Sequence, residues 1–386
     1  MNNETQASPY RGAHKQKQKR PSWGSPIIYI AAIVLVLFML RLQKPAQEQL
    51  GISSVMAIIL MWAMMVIFYL VGIMFHSVGR LVMGLLSGYK ILLFSAGPFA
   101  FVRENGRLVR KSLPSQFWLG QCLMAPKQEE RPEDVHCFWY YFGGAFFDIL
   151  LLVVSGAVIV LSHNPVVRWG MSALTIAAGT LVMIYLIPND SGVPNDGMTL
   201  LRVIKDPKAR RAENSILMLT GMEYDGTRAA DIPQELFEGA DENGVSPLCN
   251  LAFIKASCLE AKGDYAAAKE LLEALFLNEA MMSNIVLSAE VRCELSFCLL
   301  MLGEGRERIA GLMDTPSLKR LDGWTAYSCT RLRALYAYEL LFNCDPAKAE
   351  EIYARALALR ENCLCLTEYE SEMETIDRLR SGKTGA

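Results

Sequence analysis

The sequence lacks the local motifs of the common soluble enzymes. It has no P-loop, no Rossmann-type glycine cluster and no G-x-S-x-G elbow, so neither nucleotide-dependent nor α/β-hydrolase chemistry has support. The formal net charge of -2 gives no case for a nucleic-acid partner. The closest of its ten cysteines, Cys363 and Cys365, lack the second pair that a zinc finger needs. We interpret the cysteines as buried free thiols in a reducing compartment.

Apolar residues are in excess, and their long runs fall in the first half of the chain. Hydrophobic residues make up 52% of the sequence. A membrane-spanning helix needs roughly 20 predominantly apolar residues. About four runs come close to that length, at residues 26–42, 52–75, 142–161 and 166–187. A cleaved signal peptide is an alternative for the first run, but no small-residue cleavage site follows it.

Lysine and arginine are distributed unevenly around these runs. They concentrate in the N-terminal tail, in residues 90–131 and after residue 202, whereas the connections at 43–49 and 162–168 carry few. The positive-inside rule therefore predicts a multi-pass protein of the cell membrane whose N-terminus and C-terminal domain are cytoplasmic. The predicted domains are a disordered basic tail (1–25), a membrane domain (26–204), a linker (205–245) and helical repeats (246–380).

A β-hairpin is predicted directly after the second apolar run. Residues 91–94 and 99–102 are short β-like runs, and apolar residues flank Asn105 and Gly106 within the segment 102–109. Asn-Gly is the strongest short hairpin pattern, because both residues accept the positive φ angles of a type I′ turn. The fold class predicted from the sequence is therefore mainly α: a polytopic helical membrane core with a small β-hairpin, followed by a soluble α-helical repeat domain.

The C-terminal part shows weak self-similarity. Residues 251–277 have the pattern of two amphipathic helices joined near Gly263, and the pattern recurs around Gly303 and Cys344 at a spacing of roughly 40 residues. The first hairpin resembles a tetratricopeptide repeat, and the other two do so loosely. Stacked helical hairpins commonly bind peptides, so a cytoplasmic peptide or protein is the expected partner here. A helical bundle without a ligand is the alternative.

Ionisable residues inside the apolar runs are the strongest indication of a functional site, because such groups are costly in a membrane. His76 and Arg80 lie four residues apart and therefore share a helix face. Asp148 follows the glycine pair of G-G-A-F-F-D at 143–148, and Asp196 lies in a Pro-containing segment that closes the last run.

In this order, the motifs resemble the site-2 protease family of intramembrane zinc metalloproteases. That family has H-E-x-x-H on a membrane helix, then a strand region ending near G-P-F; residues 76–99 here read HSVGRLVMGLLSGYKILLFSAGPF. A later G-G-P-x-x-N corresponds to GGAFFD, and an Asp-Gly pair that supplies the third zinc ligand corresponds to Asp196 and Gly197. The resemblance covers about residues 52–203 and implies His76 and Asp196 as zinc ligands.

Two departures from the family pattern predict an inactive enzyme. Ser77 takes the place of the general base, and a hydroxyl cannot act as a base near neutral pH. Arg80 takes the place of the second histidine ligand, and a guanidinium cannot bind zinc. No catalytic residue is intact, and His76, Arg80, Asp148 and Asp196 form a vestigial site. No cofactor is expected, and zinc would be bound at His76 and Asp196 only if the site works.

Several alternatives stay open at this stage. Arg80 could pair with Asp196 in the volume that zinc would fill, or His76 could take that carboxylate as its partner. Asp148, at a family asparagine that helps to hold substrate, could pair with an arginine or stay protonated. Asp190 or Asp148 could replace a missing ligand in an active protease.

The expected function is a pseudoprotease scaffold that binds a transmembrane or membrane-proximal protein and a cytoplasmic partner. The alternatives are an active metalloprotease with unusual ligands and an accessory component of a transport or export system.

Overall fold

The computed structural model describes residues 24–97, 99–112, 118–127, 131–189, 194–282, 284–313 and 328–382. Within these ranges the chain is mainly helical and contains one small antiparallel sheet. Nearly all of the predicted basic tail, residues 1–23, lies outside the described residues.

Four long helices make up the N-terminal half. Three of them, α2, α3 and α4, are long and apolar enough to span a membrane. The sequence predicted about four spans, and the additional one, 26–42, lies within α1. The structure thus supports three candidate spans among the residues it describes. The four helices are α1 (Gly24–Leu50), α2 (Ser54–Leu86), α3 (Phe138–Leu161) and α4 (Pro165–Leu186).

Small residues allow these helices to approach each other closely. A Cβ atom on Gly79 of α2 would lie 2.5 Å from the carbonyl oxygen of Gly143 in α3, and a Cβ on Gly72 would lie 2.4 Å from Leu181 of α4. Such contacts are typical of helix packing in lipid, where close backbone approach replaces the hydrophobic driving force. The crossing of α2 and α3 at Gly79 places the last third of α2 against the start of α3.

The sheet follows α2 and confirms the predicted hairpin. Its strands are β1 (Lys90–Ala96), β2 (Phe99–Glu104), β3 (Arg107–Ser112) and β4 (Gln121–Ala125), in the antiparallel order β3-β2-β1-β4. The turn between β2 and β3 has φ angles of 47° at Asn105 and 81° at Gly106. Both lie in the left-handed region that a type I′ turn requires.

The segment 205–245, predicted as a linker, is largely structured. It contains α6 (Pro207–Tyr224) and two short 3-10 helices, Ala229–Asp231 and Gln234–Phe237. The preceding helix, α5 (Asp196–Lys205), begins after the last candidate span. Helix α6 packs both against β4 and against helices of the C-terminal half. It therefore connects the two halves physically.

The C-terminal half consists of helices around one apolar core. Three turns between helices contain a residue with a left-handed backbone conformation. The φ angles are 82° at Gly263, 67° at Gly303 and 54° at Cys344. These are the turns identified from the sequence, spaced 40 and 41 residues apart (303 minus 263, and 344 minus 303). The α-helices are α7 (Leu248–Ala261), α8 (Tyr265–Leu277), α9 (Glu279–Met282), α10 (Ile285–Met301), α11 (Arg306–Leu312), α12 (Cys329–Ala337), α13 (Pro346–Ala358) and α14 (Leu366–Arg380).

Candidate functional site

Three predicted site residues from three helices meet in the N-terminal half. His76 of α2 places its Nδ1 atom 2.7 Å from Oδ2 of Asp148 in α3, and its Nε2 atom 3.3 Å from Oδ2 of Asp196 in α5. The residues are almost wholly buried, with exposed fractions of 3%, 0% and 8% for His76, Asp148 and Asp196. The imidazole therefore lies between two carboxylates, one at each ring nitrogen.

Arg80 extends this arrangement by one more charge. Its Nη1 atom lies 3.6 Å from Oδ1 of Asp196, so both alternatives for the partner of Asp196 occur together. The guanidinium carbon lies 4.6 Å from the ring centroid of Tyr140 and 5.4 Å from that of Tyr141, which are distances typical of cation–π contacts. Tyr141 in turn donates its hydroxyl hydrogen to Glu213 of α6. The side chain of Arg80 thus has an aromatic environment that a cation can occupy.

The hydrogen bonds constrain the protonation state of this chain of groups. A neutral imidazole donates from one nitrogen and accepts at the other, so it cannot donate to two ionised carboxylates at once. Both His76 bonds form together only if the imidazole carries two protons or if one carboxyl is protonated. With a doubly protonated imidazole, the order Asp148, His76, Asp196, Arg80 alternates in sign and sums to zero formal charge. Alternation offsets part of the desolvation that burial imposes on each group.

Neighbouring residues fix the orientation of the imidazole. A Cβ atom on Gly144 would lie 2.3 Å from the His76 ring, so only glycine leaves room for the ring at this position. The ring of Tyr185 in α4 also stacks on the imidazole, with 3.8 Å between ring centroids and 23° between ring planes. The imidazole is consequently held between α3 and α4, and its two nitrogens are aligned with Asp148 and Asp196.

Local structure at the start of α5 positions Asp196. The side chain of Asn195 accepts a hydrogen bond from the Met198 backbone as the N-cap, and its Nδ2 donates to the Ile184 and Ile187 carbonyl oxygens at 2.6 and 2.7 Å. A Cβ on Gly197 would lie 2.0 Å from the Leu186 carbonyl oxygen. The Asn-Asp-Gly sequence therefore ties the start of α5 to the end of α4.

The ionisation of Asp196 follows from its charged neighbours. Burial alone would raise the pKa of Asp196, but the Arg80 guanidinium and the His76 hydrogen bond outweigh burial and hold that pKa below its ordinary value. The carboxylate form is thus the one that this environment favours.

Ser77 does not take part in this network. Its hydroxyl donates to the Ile73 carbonyl oxygen at 3.2 Å, a common bond for a serine inside a helix. A Cβ on Gly120 would lie 2.9 Å from the Ser77 Oγ atom, so the hydroxyl faces the segment before β4. Asp190, the other acid considered as a substitute ligand, lies outside the described residues.

The described residues do not fit the three-ligand zinc site that the family resemblance implies. Only His76 Nε2 and Asp196 converge, because Asp148 is bound to the other ring nitrogen and cannot reach the same ion. The guanidinium of Arg80, beside Asp196, would repel a dication. In the described part of the chain, no group of three or more His, Cys, Asp or Glu side chains is arranged to hold a metal ion.

The sequence reasoning did not identify the aromatic residues of the site. Tyr185 stacks on His76, and Tyr140 and Tyr141 surround Arg80. A tyrosine within an otherwise aliphatic run, as in L-V-M-I-Y-L at 181–186, was the available indication. A buried tyrosine usually needs a polar partner, so a tyrosine in this run indicates polar groups between the helices.

Comparisons with protein-family models, curated proteins and solved structures found no match to this chain.

Proposed function

We propose that this chain is a membrane-embedded pseudoprotease of the site-2 protease type, which acts as a scaffold rather than as a hydrolase. The observation that carries the proposal is the buried chain Asp148–His76–Asp196–Arg80. It has the order and helix placement that the sequence resemblance implies for a metalloprotease centre, but a guanidinium lies where a metal ligand is required. Such a network supports the packing of α2, α3 and α5 without supplying a hydrolytic water.

Hydrolysis of a peptide bond at a zinc site requires three protein ligands, an open coordination position and a base that takes a proton from the bound water. His76 and Asp196 supply two donors, and the Ser77 hydroxyl is engaged with the backbone. The chemistry of these side chains therefore favours binding over catalysis.

The scaffold would act through two surfaces. The candidate spans α2, α3 and α4 expose many large apolar side chains, which suits contact with lipid and with a transmembrane partner. The C-terminal helices, as loosely repeated hairpins, would recruit a cytoplasmic peptide or protein. We further propose that the protein is multi-pass in the cell membrane, with its N-terminus and C-terminal half in the cytoplasm.

The zinc content of the detergent-purified protein tests the proposal. Elemental analysis should find no stoichiometric zinc in the wild-type chain, even after incubation with excess zinc and removal of the unbound metal. The variants His76→Ala and Asp196→Ala should give the same result. Stoichiometric zinc in the wild type that is lost in both variants would overturn the proposal and support an active metalloprotease.

A further inference from the structure

A groove with a volume of about 400 Å³ opens in the C-terminal half. Its walls come from α6, α7, α10, α12 and α14, together with the segment after α6. Seven of its lining side chains are glutamates and three are arginines, so the groove has an excess of negative charge. The chain as a whole has a formal net charge of only -2. An excess of four glutamates over arginines among the lining residues of one groove is therefore a local feature.

The floor of the groove concentrates three carboxyl groups around one guanidinium. Arg333 of α12 lies 3.0 Å from Glu260 of α7, contacts Glu294 of α10, and lies 3.0 Å from Glu372 of α14. Arg333, Glu260 and Glu294 are exposed by only 6%, 3% and 1%. The guanidinium carbon of Arg333 lies 3.9 Å from the centroid of the Phe297 ring. One guanidinium carries a single positive charge for three carboxyl groups, so the three cannot all be ionised unless further positive charge is brought to the floor.

An unpartnered atom in the floor provides a second observation. Glu294 uses Oε2 for Arg333, whereas its Oε1 atom is buried and has no hydrogen-bond partner among the described residues. Buried carboxylate oxygens in native proteins nearly always have a donor. Glu294 lines the groove, so a donor arriving through the groove can reach this part of the floor. The Glu294 carboxyl also shares a hydrogen bond with that of Glu260, so a donor that carries positive charge would suit both the free oxygen and the cluster of carboxyl groups.

The carboxyl groups of the groove have raised pKa values. Burial raises the pKa of Glu372 to about 7 even though Arg333 opposes the change, and burial together with Glu368 raises the pKa of Glu223 to about 8. Burial also raises the pKa of Glu260 and of Glu294. At neutral pH these carboxyl groups therefore retain protons, which an incoming ammonium or guanidinium group can displace.

We propose that this groove binds a peptide segment bearing lysine or arginine, and that its occupant is the basic N-terminal segment of this chain, residues 11–20. That segment reads R-G-A-H-K-Q-K-Q-K-R, with five cations and no acid. Residue 20 lies four residues and residue 11 lies 13 residues ahead of Gly24, where α1 begins, so an extended chain lets the segment reach about 13–43 Å from that point. The proposal relies on the proposed topology in one respect: both elements must lie on the same side of the membrane.

Zero-length cross-linking of the full chain in detergent tests the proposal. A carbodiimide joins a carboxylate to a lysine amine only where the two are in contact. We expect cross-links within one chain from Lys15, Lys17 or Lys19 to Glu368, Glu372 or Glu374, identified by mass spectrometry of the monomeric species. High salt should reduce their yield, because an accessible charge pair is screened.

Matched variants separate the groove from the general surface. Glu368→Gln with Glu372→Gln should lower the total cross-link yield of the segment about tenfold, as expected for the loss of ~1.4 kcal/mol of binding. The control is Glu361→Gln with Glu370→Gln, which changes two exposed glutamates outside the groove and should leave the yield unchanged. Wild-type cross-links that map only to glutamates outside the groove would also overturn the proposal, without any need for the variants.

A labelled peptide distinguishes the remaining outcomes. The probes are fluorescein-labelled residues 11–20 and a matched peptide with glutamine at its five basic positions. Without intramolecular cross-links, charge-dependent binding of the labelled peptide to the wild-type groove would overturn the assigned occupant and identify a separate basic protein. Absence of both cross-links and peptide binding would overturn the groove proposal entirely. Neither result depends on zinc, so the pseudoprotease proposal is tested separately.

Discussion

The Nδ1 atom of His76 lies 2.7 Å from Oδ2 of Asp148, although 72 residues separate them in the chain. This bond connects α2 to α3 at the depth where Gly79 and Gly143 bring the two helix backbones together. It leaves Nε2 of the same imidazole facing Asp196 and, beyond it, Arg80. The site is therefore a continuous row of charged groups, in which each member depends on the position of the next.

Substitution of Gly144 should disturb this row through steric contact alone. In Gly144→Ala the new methyl group would lie 2.3 Å from the His76 ring, and the ring or α3 has to move. We expect the free energy of unfolding to fall by about 1–3 kcal/mol, the usual effect of overpacking. Thermal unfolding in detergent, followed by circular dichroism, measures the loss.

The matched control for this substitution lies on the same helix. Gly156 has open space where a Cβ would be placed. Gly156→Ala should therefore leave stability unchanged or raise it by ~0.5–1 kcal/mol through the helix preference of alanine. Equal effects of the two substitutions would show that Gly144 does not pack against His76.

Removal of Asp196 should affect stability mainly by leaving Arg80 without a counter-charge. Asp196→Asn keeps the side-chain size but removes the charge, and we expect a loss of about 3–5 kcal/mol, as for the breaking of a buried ion pair. Arg80→Leu with Asp196→Asn should be more stable than Asp196→Asn alone. A double-mutant cycle in detergent measures the coupling, which we expect to be about 0.5–3 kcal/mol. Additive effects would show that Arg80 and Asp196 do not interact.

The sequence indicated much of the local structure but little about which side chains from distant segments contact each other. The Asn105-Gly106 turn was predictable because the φ angles of a type I′ turn depend on those two residues alone. That His76 and Arg80 share a face follows from helix geometry. The bond between His76 and Asp148 depends instead on the depth at which α2 crosses α3, which is set by glycine contacts between distant segments. No periodicity within one helix contains that information.

The acidic groove was missed for a related reason. Glu290 and Glu294 occur within the largely apolar helix α10, on either side of Arg292 and at the spacing of one helix turn. That spacing is also typical of an ordinary solvent-exposed face. Only the packing of α12 and α14 against α10 shows that Glu294 is buried beside Arg333 and Glu372.

The raised pKa values of the groove predict that stability falls with increasing pH. The pKa of Glu372 rises in the folded chain from its ordinary 4.5 to about 7, and that of Glu223 to about 8, chiefly through burial. The folded chain therefore binds more protons than the unfolded chain between pH ~4.5 and ~8, and its free energy of unfolding decreases across that window. The loss for Glu372 is on the order of 3 kcal/mol.

Denaturation in detergent at a series of pH values measures this dependence. Glu372→Gln, which cannot ionise, should make the curve less steep between pH ~4.5 and ~7, and the slope that comes from Glu223 should remain up to pH ~8. The exposed substitution Glu361→Gln is the control and should leave the curve as it is. A wild-type chain whose stability rises across this window would contradict the raised pKa values.

The proposed orientation predicts where reporter domains will be active. Green fluorescent protein fused after residue 382 should fluoresce and alkaline phosphatase fused there should be inactive, because the C-terminal half is expected in the cytoplasm. A fusion within the connection between α3 and α4, at His163, should give the opposite pair of results. Phosphatase activity at the C-terminal fusion would contradict the orientation, and the same result at both positions would show that α4 does not cross the membrane.

Restoration of the metalloprotease motif is the sharpest test of the proposed ancestry of the site. Ser77→Glu with Arg80→His recreates H-E-x-x-H and leaves Asp196 as the third ligand. We expect the variant to bind about one zinc ion per chain, because three protein ligands then converge and the repelling guanidinium is gone. Elemental analysis of the purified protein measures the zinc. The control, Ser77→Ala with Arg80→Ala, removes the same side chains without adding ligands and should bind none. A folded variant that binds no more zinc than this control would mean that the helix face of His76 never matched a zinc site, and the resemblance to site-2 proteases would then be a coincidence of spacing.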